Sequence, residues 1–140
     1  MTKKRIFLAI TLTLCVAIFA GAVYLFNEIF PKAKPIEYPE IDEVTLVSIG
    51  SNTSEGVISM NELYYEELFR HISEAEPTRG QAWNDYPTVR PYYCVEIQTA
   101  ERMYRYFVYE NGGQVYIESP YEGIYESETE LLEWVLQQFE

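Results

Sequence analysis

Side chains able to do chemistry are few in this sequence, and they are scattered. There is one histidine, His71, so a Ser-His-Asp relay or a histidine-based metal site would have to be built on it alone. Leu68 and Ile72 lie at helical spacing beside His71, which marks it as a packed or solvated residue rather than a base. Of the two cysteines, Cys15 falls in an apolar N-terminal run. Cys94 then has no intrachain partner and reads as a buried strand thiol, with an intermolecular bridge as the alternative. Carboxylates are what remain in number: 22 Asp and Glu against 10 Lys and Arg. Paired carboxylates can run acid–base chemistry without histidine. The nearest such group is Glu96 and Glu118 around Arg105, and a guanidinium between two carboxylates favours their charged forms over the role of an acid. Glu62, Glu66, Glu67 and Glu74 lie mainly off an apolar helical stripe and lack calcium-loop spacing, so they read as a solvated face. No catalytic, cofactor-binding or metal-ligating set is assigned, and the chain is expected not to be an enzyme.

The charged row depends on a three-stranded antiparallel meander from Tyr92 to Ser119. Asn111-Gly112 tolerates the positive φ of a tight hairpin turn. Taken as the turn, it places Val108 opposite Val115, Phe107 opposite Tyr116, Tyr106 opposite Ile117 and Arg105 opposite Glu118. A first turn near Ala100-Glu101 places Ile97 opposite Tyr104, Glu96 opposite Arg105, Val95 opposite Tyr106 and Cys94 opposite Phe107. One face then carries Tyr93, Val95, Ile97, Tyr104, Tyr106, Val108, Val115 and Ile117, all apolar or aromatic, and should face the core. A one-residue slip would bury the charged row instead. The other face gathers Tyr92, Phe107, Tyr109 and Tyr116 beside Glu96, Arg105 and Glu118. Aromatic clusters rimmed by charge suit contact with a partner, so these seven residues are the candidate contact surface. The competing reading is a second small core beneath the Pro77 to Pro91 loop or the first hairpin, since large exposed apolar patches are uncommon in monomers.

The rest of the chain supplies the frame. Lys3-Lys4-Arg5 precede Ile6 to Phe26, a run of 21 uncharged residues. As a helix it spans about 32 Å, enough for a bilayer core of about 30 Å. The basic cluster places the N-terminus in the cytoplasm and the rest of the chain outside. A retained anchor is expected; the alternative is cleavage at Ala20-Gly21-Ala22. Residues 1–30 are thus a basic stub and transmembrane anchor. Residues 31–43, with three prolines, are expected to form an extended spacer that holds the fold off the membrane. Residues 44–140 form the extracytoplasmic domain.

Val44 to Ile49 reads as a strand and Val57-Ile58 as its return. Asn52-Thr53-Ser54 matches a glycosylation acceptor that is meaningful only in a eukaryotic secretory setting. Ser59 with Glu62 makes a capping box for a helix to Ala75, with Leu63, Tyr64, Leu68, Ile72 and Ala75 as its apolar stripe. Trp83 is expected to pin the Pro77 to Pro91 loop. Ser119 to Tyr125 is a turn-rich bridge. Ser127 with Glu130 caps a last helix to Phe139, whose face of Leu131, Leu132, Val135, Leu136 and Phe139 should cover the meander. The fold class is α+β: a transmembrane helix, then a hairpin plus three-stranded meander with two helices on one face.

From Pro31 onward lie 21 of the 22 acidic residues but only 7 of the 10 basic ones, a net of −14. A nucleic-acid partner is excluded, because phosphate binding needs clustered Lys and Arg. Gly123-Ile124-Tyr125 matches the opening tripeptide of the GIY-YIG nucleases, but no second tripeptide or catalytic pair follows. Pro77-Thr78, Asn84-Asp85-Tyr86-Pro87, Tyr106-Phe107-Val108-Tyr109-Glu110 and Ser119-Pro120-Tyr121-Glu122-Gly123-Ile124-Tyr125 together resemble an uncharacterised family. Its members are small membrane-anchored or secreted ectodomains found mainly in Gram-positive anaerobic bacteria. The resemblance implies a bacterial extracytoplasmic setting and carries no assigned chemistry. The leading expectation is a membrane-tethered, non-catalytic binding module with a protein or cell-envelope partner and no cofactor. The alternatives are a carboxylate-based envelope enzyme and a structural subunit that self-associates through the outer sheet face.

Overall fold

Alternation of buried and exposed side chains organises the chain from Val44 onward, and it produces one continuous sheet. The computed structural model describes residues 2–53 and 56–140; Ser54 of the glycosylation match lies outside them. The chain divides into two compact units between Lys32 and Ala33. The first unit contains α1 (Lys3–Ile29), a 27-residue helix with a mean hydropathy of 2.6 over its most apolar window, long and apolar enough to cross a membrane. Its two threonine hydroxyls, on Thr11 and Thr13, donate to the carbonyls of Phe7 and Ala9 at 3.0 and 2.9 Å. In a bilayer core, that satisfies polar groups which have no water to bond.

In the second unit, β1 (Val44–Ser51) pairs with β2 (Val57–Ser59) as the expected hairpin, and α2 (Tyr65–Glu74) leads to the two-residue β3 (Glu76–Pro77). The strands β4 (Tyr92–Thr99), β5 (Met103–Asn111), β6 (Gln114–Ser119) and β7 (Gly123–Ser127) follow, and α3 (Thr129–Gln137) ends the fold. The sheet is antiparallel with seven strands in the order β2-β1-β4-β5-β6-β7-β3. The hairpin thus joins the meander edge to edge in one antiparallel sheet, as expected. Gly123 to Tyr125, expected as the end of a bridge, and Ser127, expected as a helix cap, instead lie in a strand, because Gly123 to Ser127 continue the ladder against Ser119 to Val115.

The β4–β5 register is the expected one, with Glu96 opposite Arg105 and Cys94 opposite Phe107. The β5–β6 register differs by two residues. Phe107 faces Glu118, Val108 faces Ile117 and Tyr109 faces Tyr116. The turn is Gly112-Gly113, with φ of 63° and 82°. A two-residue hairpin turn of this type needs positive φ at both positions, and Gly-Gly meets that demand with less strain than Asn-Gly. Because the shift is even, every side chain keeps its expected face.

The inner face carries Tyr93, Val95, Ile97, Tyr106, Val108, Val115 and Ile117, all buried, with Tyr104 packed at the margin. Tyr65, Leu68, Phe69 and Ile72 of α2 and Leu131, Trp134 and Val135 of α3 close over it. Both helices start later than the capping boxes indicate. Asn61, not Ser59, caps the first turn by accepting the Leu63 N–H at 3.0 Å, and a short 3₁₀ turn, Glu62–Tyr64, precedes α2. The helical phase therefore changes: Leu63 is 85% exposed, while Tyr65 is buried and its hydroxyl accepts the Val47 N–H. Ser127 ends β7, and Glu128 holds the N-cap position before α3 with no side-chain capping bond. Trp134 replaces Leu136 on the buried side.

Residues 33–43 are not a free spacer. They form a strap across the inner face. The Ala33 N–H donates to the Thr78 carbonyl, and the Tyr125 and Tyr106 hydroxyls donate to the Lys34 and Glu37 carbonyls at 2.9 and 2.6 Å. Ile36 is buried, and the Tyr38 ring meets Phe69 edge-on. A Cβ at Gly123 would collide with the Cβ of Ala33, so glycine is what lets the strap seat. The driving force is the two buried phenols, whose hydroxyls need acceptors where water is excluded. In full-length protein in micelles, Leu131→Ala should lower the unfolding free energy by about 2–5 kcal/mol, as for large-to-small core changes. Leu136→Ala should change it by less than about 0.5 kcal/mol. Denaturant unfolding followed by the emission of buried Trp134 checks both.

Candidate functional site

The outer sheet face presents three cross-strand rows. The first is Gly50, Cys94, Phe107, Glu118 and Ile124; the second is Tyr92, Tyr109, Tyr116 and Glu126; the third is Ser48, Glu96 and Arg105. The seven residues of the expected contact surface do share this face, but the structure separates them into two groups. Phe107 is 0% exposed, Tyr109 3% and Glu118 6%, so these three belong to a second core. Tyr92, Tyr116, Glu96 and Arg105 stay half-buried along its margin.

The cover is the segment from Thr78 to Pro91. Thr78 ties its start to β7, with both the backbone N–H and the side-chain hydroxyl donating to the Ile124 carbonyl. Gly80 lies so close to Ile124 that an added Cβ would stand 3.1 Å from its Cδ1 atom, which brings the loop down onto the sheet. The Tyr121 N–H donates to the Ala82 carbonyl at 2.8 Å, and the Tyr121 hydroxyl donates to Asp85 Oδ1 at 2.7 Å. Tyr86 then lies with its ring 5.7 Å from Phe107, and Tyr92 meets Phe107 edge-on at 5.3 Å. Trp83 does not pin the loop. It is 72% exposed, and Ala82 and Pro87 are the buried residues.

Beneath this cover the Tyr109 hydroxyl donates to Glu118 Oε2 at 3.0 Å. Burial pushes the Glu118 carboxyl above its usual range, and the Tyr109 bond offsets only part of that. Burial, with Glu118 close by, also pushes the Tyr109 phenol up. Glu118 is therefore not the second carboxylate of Arg105. Arg105 binds the carboxylate of Glu96, its Nε and Nη2 reaching Oε1 at 2.8 and 2.7 Å, and its Nη2 also lies 3.9 Å from Met103 Sδ. The hydrogen bond to Glu96 raises the guanidinium pKa still further. Cys94 is half-buried, and burial holds its thiol up at about 12, which makes it a poor nucleophile. His71 lies apart from this face. It is buried against Trp134, its Nε2 is 3.3 Å from Arg70 Nη2, and its Nδ1 has no partner. Burial, then Arg70, lower its pKa. Among the described residues, no group of three or more His, Cys, Asp and Glu is arranged to hold a metal ion.

Two clefts open where the loop cover ends. One, of about 430 Å³, is lined by Asp85, Arg102, Tyr104, Arg105, Tyr121 and Glu122. The other, of about 240 Å³, has Phe107 as part of its floor, with Tyr86, Tyr92, Cys94 and Glu96 around it. Arg105 borders both. Arg102 is held in the first cleft by stacking 4.0 Å over the Tyr104 ring and by Glu37 at 3.2 Å. Glu122 is held by the Ser119 hydroxyl at 2.7 Å. Tyr121 has a left-handed backbone, with φ of 63°. That conformation is uncommon for a bulky residue and costs on the order of 1 kcal/mol. Sequence inspection missed this cleft because its residues come from three separate stretches. The exposed Asn84-Asp85-Tyr86-Pro87 turn was its one visible signal.

A family profile, DUF5301, described as "Domain of unknown function (DUF5300)", matches residues 32–126. The match takes in the strap, the roofing loop and all seven strands but for the last residue of β7. The fold is also similar to a solved structure described as "NMR structure of the protein from Ruminococcus gnavus", with 29% identity and a TM-score of 0.54 over 65% of this chain and 89% of the other. No curated protein matches the chain.

The raised pKa of Glu118 has a definite sign. Its charged form is disfavoured in the fold, so its contribution to stability is fully present below the unfolded value near 4.5 and is lost as pH rises through the folded value. Glu118→Gln keeps an acceptor for Tyr109 and removes the charge. The stability of this variant minus that of the parent should grow from pH 4 to pH 7 in denaturant unfolding. A difference that is flat with pH would contradict the assignment.

Proposed function

The chain belongs to the DUF5301 family, and we propose that it is a non-catalytic binding module. In this reading residues 6–26 hold it in the membrane, and the domain faces out of the cytoplasm. The basic cluster Lys3-Lys4-Arg5 before α1 supports this orientation through the positive-inside rule. Similarity to a protein from Ruminococcus gnavus supports a bacterial setting. The observation that carries the binding role is the larger cleft. Its charged groups are already positioned by bonds within the protein: Asp85 by Tyr121, Glu122 by Ser119 and Arg102 by Glu37. Groups held in place before a ligand arrives lose little freedom on binding, which is what a recognition site needs.

In this reading the contact surface is narrower than the seven residues. Phe107 and Tyr109 support the fold from within, so contact falls to the clefts and the loop that borders them. A photo-crosslinking residue in place of Tyr86, in the anchored full-length chain in cells, should give an adduct in the membrane fraction that protease added outside the membrane can remove. The same residue in place of Leu63, on the opposite side of the sheet, should give none. A soluble chain beginning at Val23, or equal adducts from both positions, would contradict the proposal.

A further inference from the structure

The larger cleft has a character that selects among ligand classes. Asp85 and Glu122 supply acceptors, and Arg102 and Arg105 supply donors, in equal number of opposite charge. Each arginine is already neutralised by its own carboxylate, Glu37 or Glu96. An anion finds no uncompensated cation there, and the domain's net charge of −14 from Pro31 on repels it at longer range. The floor is β5 from Met103 to Tyr106, which pairs with β4 on one side, while the β6 ladder begins only at Phe107. An extended peptide would find only this short stretch of β5 edge to join. One exposed aromatic ring lines this polar centre, and two more stand on the loop beside it. Tyr121, 67% exposed, lines the cleft, and Trp83 and Tyr86 sit on the loop that supplies Asp85. The left-handed backbone of Tyr121 belongs to the Ser119–Glu122 turn, closed by the Glu122 N–H donating to the Ser119 carbonyl at 3.0 Å, and this turn sets the ring beside Asp85.

This combination matches a sugar ring. The C–H faces of a pyranose are apolar and pack on flat aromatic rings, while its equatorial hydroxyls both donate and accept. Planar carboxylate and guanidinium groups meet such hydroxyls two at a time. A cleft of 430 Å³ is within the range of about 300–1,000 Å³ typical of ligand sites. The smaller cleft beyond Arg105 offers an aromatic-lined continuation.

We propose that the larger cleft, at the sheet margin where β6 ends beside β5, carries a binding site for a neutral oligosaccharide, with Asp85, Arg102 and Glu122 hydrogen-bonding its hydroxyls and Tyr121 and Trp83 stacking on its rings. This inference rests on the reading of the domain as a binding module and names its ligand class.

Trp83 is exposed and Trp134 buried, and these are the chain's two tryptophans. Change in the exposed emission therefore reports the site, and Trp134 reports the fold. Full-length protein in phosphocholine micelles, which contain no sugar headgroup, is titrated separately with chitohexaose, cellohexaose and maltohexaose, and with an uncharged ten-residue peptide. At least one hexasaccharide should bind saturably with a dissociation constant below about 10 mM. Tyr121→Ala should weaken that binding about tenfold or more, Tyr121→Phe should restore it to within about threefold, and Arg102→Gln should weaken it by a similar factor to Tyr121→Ala. Arg102 is exposed, so its variant keeps the test open if Tyr121→Ala does not fold. Absence of binding by all three sugars would overturn the proposal, as would binding insensitive to both Tyr121→Ala and Arg102→Gln. Peptide binding without sugar binding would overturn it too, yet leave the binding-module reading standing. Loss of the Tyr86 crosslink in cells removes that broader reading instead.

Discussion

Burial of β5 on both faces is the constraint on which the rest of this domain depends. Tyr106, Phe107, Val108 and Tyr109 are consecutive and all buried. In a strand, consecutive residues point to opposite sides, so both sides of the sheet need a cover. The inner cover is α2, α3 and the strap; the outer cover is the loop from Thr78 to Pro91. Two of the four residues are tyrosines whose hydroxyls cannot go unpartnered in a dry interior. Tyr106 takes the Glu37 carbonyl on the strap, and Tyr109 takes Glu118 beneath the loop. The inner cover is thus tied to the central strand by apolar contact and a phenol hydrogen bond, whereas on the outer side the phenol is satisfied within the sheet, by Glu118 of β6, beneath the loop.

That arrangement determines what surface remains for recognition. A single-covered sheet would offer a wide aromatic face and invite self-association. Here the loop occupies the centre of that face and leaves openings at its edge, where Arg105 stands between two clefts. The loop also brings Asp85 to Tyr121, which joins a structural closure to a polar site. The strap has a related consequence. Ala33 is already bonded to Thr78, so only Phe30 to Lys32 separate the end of α1 from the first residue bound by the domain. The segment that composition marks as a spacer is part of the fold.

The alternating pattern made most of the sheet legible. Apolar Tyr93, Val95, Ile97, Tyr106, Val108, Val115 and Ile117 specified the inner face, and the short turn after Thr99 specified the β4–β5 register. The β5–β6 register was not legible to the same degree. Asn111-Gly112 and Gly112-Gly113 both satisfy hairpin turn chemistry, and the two choices differ by two residues. An even shift preserves every face, so hydrophobicity cannot choose between them; only the charged row could, and it suggested Glu118 for Arg105. Glu118 lies instead under the loop, paired with Tyr109. The capping boxes misled for a related reason. Ser59 and Ser127 each end a strand, and a serine three residues before a glutamate fits a strand end as well as a helix start. The strap was hidden because it is proline-rich, polar on average and without periodicity; the loop as a cover was one of the two readings the sequence allowed, and its composition could not choose between them. Gly123 and Gly80 were the residues that marked their close approach, and a single sequence does not show which glycines are needed for contact.

The account's central claim is that the outer face is a second core closed by the loop. Phe107→Ala in the full-length chain tests it most directly, with denaturant unfolding followed by Trp134 emission. A second core predicts a loss of about 3–5 kcal/mol, the cost of truncating a buried phenylalanine. A loss below about 0.5 kcal/mol, the scale of surface substitutions, would show that the loop does not close over the sheet and would contradict the account.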